Sequence, residues 1–397
     1  MLSRGRRVGN ATSAGRHYLL LVHPERVSTF ELFFDLVFVF TITQLTGALH
    51  ADSSATGVLR VLLMLAVIWW MYGGYAWLTN NVDLRGTATR LLLLAGMAAF
   101  LVMGLATPRV AEGDGAAFGV AYLAVVLLHA ALFRQAPNQS ARAILRVAPF
   151  NVAGALLVIA AGAAPRAWNL PLWACALAVP LIATLVGAER GFALRAGHFA
   201  ERHGLIILIA LGESVVGIGA GAAGVPVRLP LVTAAVLSLA LAAGLWWTYF
   251  DRDDRGGEQA MARAAGGDRA RLGLYAYGFA HLLMIAGIVT AAAGVEEMVA
   301  GLTRPLGAFA PWLLAAGVAG YLAGEALFRR LLRLEPVAAR LVAAVLAIGT
   351  GVVGTALPGV AHLALVDSLI VAMLVAEKRR TADAPATEHA KARPAPH

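Results

Sequence analysis

Runs of about 20 mostly apolar residues recur along this chain, and each is long enough to cross a bilayer as a helix. Reading these runs against the loop signals between them predicts twelve spans, near 28–49, 57–78, 89–107, 116–133, 143–163, 169–188, 204–223, 229–250, 271–294, 308–328, 337–356 and 359–377. Backbone amides inside hydrocarbon must be satisfied within their own segment, so the predicted class is an all-α integral membrane protein. Only 14% of the 397 residues are charged, too few to cover a water-facing surface.

The formal net charge of +9 raises the question of a nucleic-acid partner. The distribution of the charge answers it. With the N-terminus placed inside, only Arg60, Arg109, Arg166, Arg228 and Arg304 fall outside, and the other 27 of the 32 Lys and Arg fall inside. The positive-inside rule explains that asymmetry without nucleic acid. The expectation is a bacterial inner-membrane protein with both termini cytoplasmic and the lipid bilayer as its principal partner. Its oligomeric state is left open.

Four segments follow: a basic arm over 1–27, six-helix membrane repeats over 28–188 and 189–377, and an Ala- and Pro-rich charged tail over 378–397, expected to be disordered. The LLLV run within this arm is too short for a signal-peptide core. Cys175 is the only cysteine, which excludes an intramolecular disulfide and a thiolate zinc site.

Spans one and seven start on the same side, so a six-plus-six duplication is natural to test. DLVFVFTITQL from Asp35 lies on GLIILIALGES from Gly204, placing Gln44 opposite Glu213. Trp69-Trp70-Met71-Tyr72 in span two matches Trp246-Trp247-Thr248-Tyr249 in span eight, and Arg90 precedes span three as Arg271 precedes span nine. The common order of these landmarks predicts two parallel repeats, with a functional path where they meet.

Ionisable groups deep in a span are costly unless paired or wet, so they mark candidate sites. In span one Glu31 and Asp35 share a face, continued by Phe38, Ile42 and Thr46, with Gln44 opposite. They read either as an acidic lining for a cation or proton, or as anchors paired with Arg202 or another inner-edge arginine. Span seven carries Glu201 and Arg202 at the interface, where an ion pair is expected, and Glu213 near the midplane. Gly217 and Gly221 beside Glu213 would permit close helix contact. Tyr277 and His281 share a face of span nine, suited to a proton relay or to a core histidine bonded to a carbonyl. Asp367 is mid-membrane in span twelve; His129, Asn151 and Glu325 are weaker candidates. Paired tryptophans read as interface anchors at Trp246 and Trp247, but Trp70 is too deep for that role.

No GxSxG, P-loop, HExxH or CxxC is present, so neither an enzyme nor a cofactor is expected. His198-x-x-Glu201 with His203 imitates a metal set, but an arginine stands inside it and no fourth ligand is near, so no metal is expected.

Three stretches carry a resemblance: TFELFFDLVFVFTITQL (Thr29 to Leu45), HFAERHGLIILIALGESVVGIG (His198 to Gly219) and YAYGFAHLLMIAGIV (Tyr275 to Val289). The chain resembles the bacterial low temperature requirement A proteins over nearly the whole membrane region. That resemblance implies a polytopic inner-membrane protein linked by name to growth in the cold, with no established substrate. FFDLVFVFTITQL (Phe33 to Leu45) is also similar to the FSDGVFAIAITLL signature of endolysosomal-type potassium channels, which implies pore positions for Asp35 and Ile42. Phe34 and Leu36 depart from that signature, and the second repeat keeps almost none of it. Two functions stand: a permease or channel for a cation, proton or small solute, or a non-transport component such as a sensor, assembly partner or regulator.

Overall fold

The computed structural model describes residues 26–110, 115–136, 138–188, 194–302 and 309–383. Most of the basic arm and the end of the tail lie outside the described residues.

Among those residues the helices in chain order are α1 (Thr29–Ala51), α2 (Ala55–Asn81), α3 (Thr87–Val110), α4 (Ala116–Phe133), α5 (Asn138–Ala163), α6 (Arg166–Ala183), α7 (Ala196–Gly221) and α8 (Leu229–Phe250). They continue with α9 (Asp253–Arg263), α10 (Gly266–Leu272), α11 (His281–Ala300), α12 (Ala310–Leu332), α13 (Ala338–Gly354) and α14 (Gly359–Asp383). A π-helical stretch, Gly273–Ala280, joins α10 to α11 as one continuous span. Another, Thr184–Ala188, prolongs α6. Among the described residues eleven helices are long and apolar enough to cross a membrane, and α13 is a shorter apolar helix of 17 residues. Each predicted span coincides with a helix; α9, polar and only 11 residues long, is an extra element in the loop after α8. The final helix runs on to Asp383, beyond the predicted end at 377.

Local sequence explains where the helices begin. Before α1, Ser28 Oγ accepts from the Glu31 amide while Glu31 Oε2 accepts from the Ser28 amide at 3.0 Å, a reciprocal capping box. Ser54 Oγ caps α2 through the Gly57 amide at 3.1 Å.

The two halves pack their helices in matching order. In the first, α1 lies on α3, α3 on α4, α4 on α5, α5 on α6, and α6 returns to α2. In the second, α7 lies on α11, α11 on α12, α12 on α13, α13 on α14, and α14 returns to α8. The halves meet where α1 touches α7 and α11 and where α2 touches α7. Glycine makes close helix contacts possible: a Cβ at Gly221 of α7 would lie 2.5 Å from the Glu296 carbonyl oxygen of α11.

The surface inverts the soluble pattern. Leu208, Val215, Val236 and Val345 are among many large apolar side chains facing outward, while Asp35, Arg202, Glu325 and Arg340 are buried. Hydrocarbon around the bundle and polar partners within it account for both observations.

Candidate functional site

Ionisable side chains collect at three levels along α1, where it meets α2, α7 and α11. At the first, Arg202 of α7 is 1% exposed. Its Nη2 donates to Asp35 Oδ1 at 3.0 Å, and its Nη1 to Glu31 Oε1 at 3.3 Å and to the Thr79 hydroxyl. Tyr72 donates its hydroxyl to the same Asp35 oxygen at 3.1 Å. The guanidinium lies 5.4 Å from the Phe34 ring centre, a cation–π distance. His198 completes the group: Asn80 Nδ2 donates to its Nδ1 at 3.3 Å, so the proton sits on Nε2, which donates to Glu31 at 3.1 Å. Asp35 thus bonds Arg202 and Tyr72 through Oδ1, and its Oδ2 is left without a partner.

An ion pair between Glu201 and Arg202 does not form. Successive helical residues point about 100° apart, so Arg202 turns into the bundle while exposed Glu201 accepts the Val27 amide at 3.0 Å.

The second level lies eight residues up α1, about 12 Å of helical rise from Asp35. Thr43 Oγ1 donates to Glu213 Oε2 of α7 at 2.7 Å, and Glu213 is 3% exposed with no basic side chain bonded to it. Between the two levels Phe38 and Ile42 are fully buried, with the Phe38 ring 4.2 Å from that of Tyr72. Ile42, the expected pore position, is packed against its neighbours at 0% exposure. Gln44 is half-buried, off that face. At the third level His50 Nδ1 lies 2.9 Å from Glu297 and 3.7 Å from Glu296, both on α11.

His281 is a core histidine bonded to a carbonyl. Its Nδ1–H donates to Ala276 O of the π-helical stretch at 2.9 Å, leaving Nε2 to accept the Tyr249 hydroxyl at 3.1 Å. Tyr277 stacks on it at 5.0 Å, and its own hydroxyl has no partner. Trp69 Nε1 donates to Gly278 O at 2.8 Å, tying α2 to the same stretch. Asp367, on α14, has both carboxylate oxygens buried and unpartnered. His198, Glu201 and His203 do not converge: His203 donates to Phe199 O at 2.8 Å, and no metal-holding group occurs among the described residues.

A second charged cluster escaped the sequence reading. Arg340 of α13, 1% exposed, donates to Glu325 Oε2 at 2.6 Å, to Asp253 Oδ2 at 3.2 Å and to Glu377 Oε1 at 3.0 Å. Arg329 shares Asp253 at 2.7 Å and Glu377 at 3.0 Å. One signal was available: an arginine a turn inside an apolar run needs a buried acid.

Fold and site together define a polytopic helical membrane protein whose helices bury ionisable groups between them. The chain belongs to the family of bacterial low temperature requirement A proteins (LtrA), whose model matches residues 26–376. It is also similar to "Uncharacterized protein RA0937" of Rhizobium meliloti (strain 1021), with 29% identity over 286 residues, 67% of this chain and 68% of the relative.

Proposed function

We propose that the chain is a permease for protons or a small cation in the bacterial inner membrane, with both termini cytoplasmic and the path along the contact of α1 with α7. Glu213 carries the reading. A carboxylate buried at mid-bilayer depth with a threonine as its bonded partner can take up and release a proton or cation, because no fixed positive charge already satisfies it. Asp35, held by Arg202, serves instead as part of a closed polar seal at the end of α1. The fully buried Phe38 and Ile42 form an apolar barrier between seal and acid, as an alternating-access path requires.

The matching helix order of the halves supports a parallel duplication, with α1 and α7 as equivalent helices meeting near its pseudo-twofold axis. The chemistry asked of the chain is binding and movement, with no covalent step and no cofactor. Flux of H⁺, K⁺ and Na⁺ into liposomes holding the purified protein tests the proposal. Flux above empty liposomes that Glu213→Gln removes is the expected result. Absence of flux for every ion would favour the sensor or assembly-partner reading, which the sealed state of Asp35 and Ile42 also fits.

A further inference from the structure

A cavity of about 190 Å³ lies between the halves. Its walls come from α2, α4, α5 and α6 on one side, and from α7, α10 and the π-helical stretch with the start of α11 on the other. The lining is overwhelmingly apolar and rich in aromatic rings, among them Trp69, Trp70 and Trp77 of α2. Leu177 and Leu181 of α6, with Leu274 and Phe279 opposite, line the cavity and are only part-buried, so it opens sideways toward the lipid-covered face.

Two polar atoms of this wall lack a partner, while Asn151 in the same wall accepts from Trp70 Nε1 at 3.0 Å. His129, 3% exposed, sits beside Gly74 with no hydrogen-bond partner for Nε2, and Thr184, 6% exposed, has none for Oγ1. Buried groups of this kind are normally satisfied by protein or water. A dry apolar cavity of roughly 150 Å³ is enough to admit benzene, so this one has room for a ring or a stretch of chain. Its shape asks for carbon, and its two unsatisfied atoms ask for an oxygen.

We propose that the cavity binds an amphipathic molecule drawn from the bilayer, an apolar chain or ring bearing a hydroxyl or carbonyl oxygen. The oxygen meets His129 Nε2, Thr184 Oγ1 is a second polar contact in the same wall, and the body lies against the tryptophans of α2. A free long-chain alcohol or acid and the carbonyl-bearing tail of a phospholipid share this chemistry. The cavity's modest volume favours the free molecule. Occupancy bears on α7, because Phe199 and His203 line the cavity on the turns that carry Arg202. The site stands apart from the transport reading and does not depend on it.

Tryptophan quenching tests it. The full-length protein in nanodiscs of saturated phosphatidylcholine is titrated with a vicinally dibrominated C18 alcohol, and separately with dibrominated phosphatidylcholine and a dibrominated alkane. The alcohol should give a saturable quenching component that unbrominated alcohol reverses, while the phospholipid gives only quenching proportional to its mole fraction. Gly73 lines the cavity and has open space where a Cβ would stand, so Gly73→Leu should abolish the saturable component without lowering the melting temperature. His129→Phe should weaken the alcohol about tenfold, as loss of one buried hydrogen bond would, and leave the alkane unchanged. Quenching by the alcohol that never saturates, or that competitor does not reverse in the wild type, overturns the proposal whatever the variants do. Saturation by the phospholipid alone overturns the free amphiphile as the ligand.

Discussion

Thr43 and Glu213 face each other across the two halves of the chain, 170 positions apart, and share a hydrogen bond of 2.7 Å. The bond satisfies one lone pair of the carboxylate and supplies no charge. By contrast, Asp35 on the same helix meets a guanidinium at 3.0 Å. Asp35 is therefore neutralised in place, whereas Glu213 has no cation bonded to it.

Glu213→Gln separates function from folding. The amide keeps the shape and can still accept from Thr43, so expression and melting temperature should stay near wild type while ion flux falls to background. Glu213→Leu should instead lower the melting temperature by deleting the hydrogen bond that joins α1 to α7, while the Thr43 hydroxyl falls back on Val39 O of its own helix at 3.2 Å. Wild-type flux in Glu213→Gln would end the assignment.

Arg202 should behave as a structural residue. Arg202→Met leaves Glu31 and Asp35 buried without their shared cation, and breaking such a group costs about 3–5 kcal/mol. A large drop in melting temperature is expected. Adding Glu31→Gln and Asp35→Asn to Arg202→Met should recover much of it, because the stranded charges are then gone. Failure of the triple variant to recover would show that the arginine acts through something other than these two acids.

The spans were legible because hydrocarbon imposes a length and a composition that no other environment demands, and α4 and α8 begin and end at the predicted residues. The shared face of Asp35, Phe38, Ile42 and Thr46 was legible from helical period alone, and all four are buried. Pairings across the halves were harder. Arg202 was among the arginines available to Glu31 and Asp35, yet periodicity within α7 could not show that it turns away from Glu201. Thr43 gave no signal as the partner of Glu213, since a threonine in an apolar span usually bonds its own helix. The cluster around Arg340 draws on α9, α12, α13 and α14, and no local spacing encodes that meeting.

Gly221 and Gly219 offer a steric contrast two residues apart. A side chain at Gly221 meets the α11 backbone and Val299, whereas nothing lies within 4 Å of a Cβ at Gly219. Gly221→Leu should destabilise the protein by roughly 1–3 kcal/mol or more, as overpacked cores do, and lower its melting temperature. Gly219→Leu should match wild type. Equal behaviour of the two variants would mean that α7 and α11 are not this close.

Topology can be read with reporter fusions at Ala55, Val225 and Gly257. Ala55 opens α2, and Val225 lies in the loop before α8, so both should report the extracytoplasmic side. Gly257 lies in α9 and should report the cytoplasm. A cytoplasmic signal at Val225 would add or remove a crossing in the first seven and break the equivalence of α1 and α7.

The cluster around Arg340 ties α9 to the membrane helices, because Asp253 at the start of α9 accepts from both Arg329 and Arg340. Arg340→Met removes a cation shared by three buried acids, Asp253, Glu325 and Glu377, and leaves Arg329 facing Asp253 and Glu377 alone. Stability should fall by about 3–5 kcal/mol, and α9 should come loose first, since Asp253 at its start loses one of its two bonded cations. Trypsin cutting at Arg255 and Arg263 should accelerate before the membrane core melts. Arg330→Met, one position from Arg329 but exposed, is the matched control and should change neither readout. Adding Glu325→Gln to Arg340→Met should restore part of the loss, because Glu325 bonds Arg340 at 2.6 Å and is the acid left most isolated. Unchanged cleavage at α9 in Arg340→Met would show that Asp253 is not what holds this helix against the bundle.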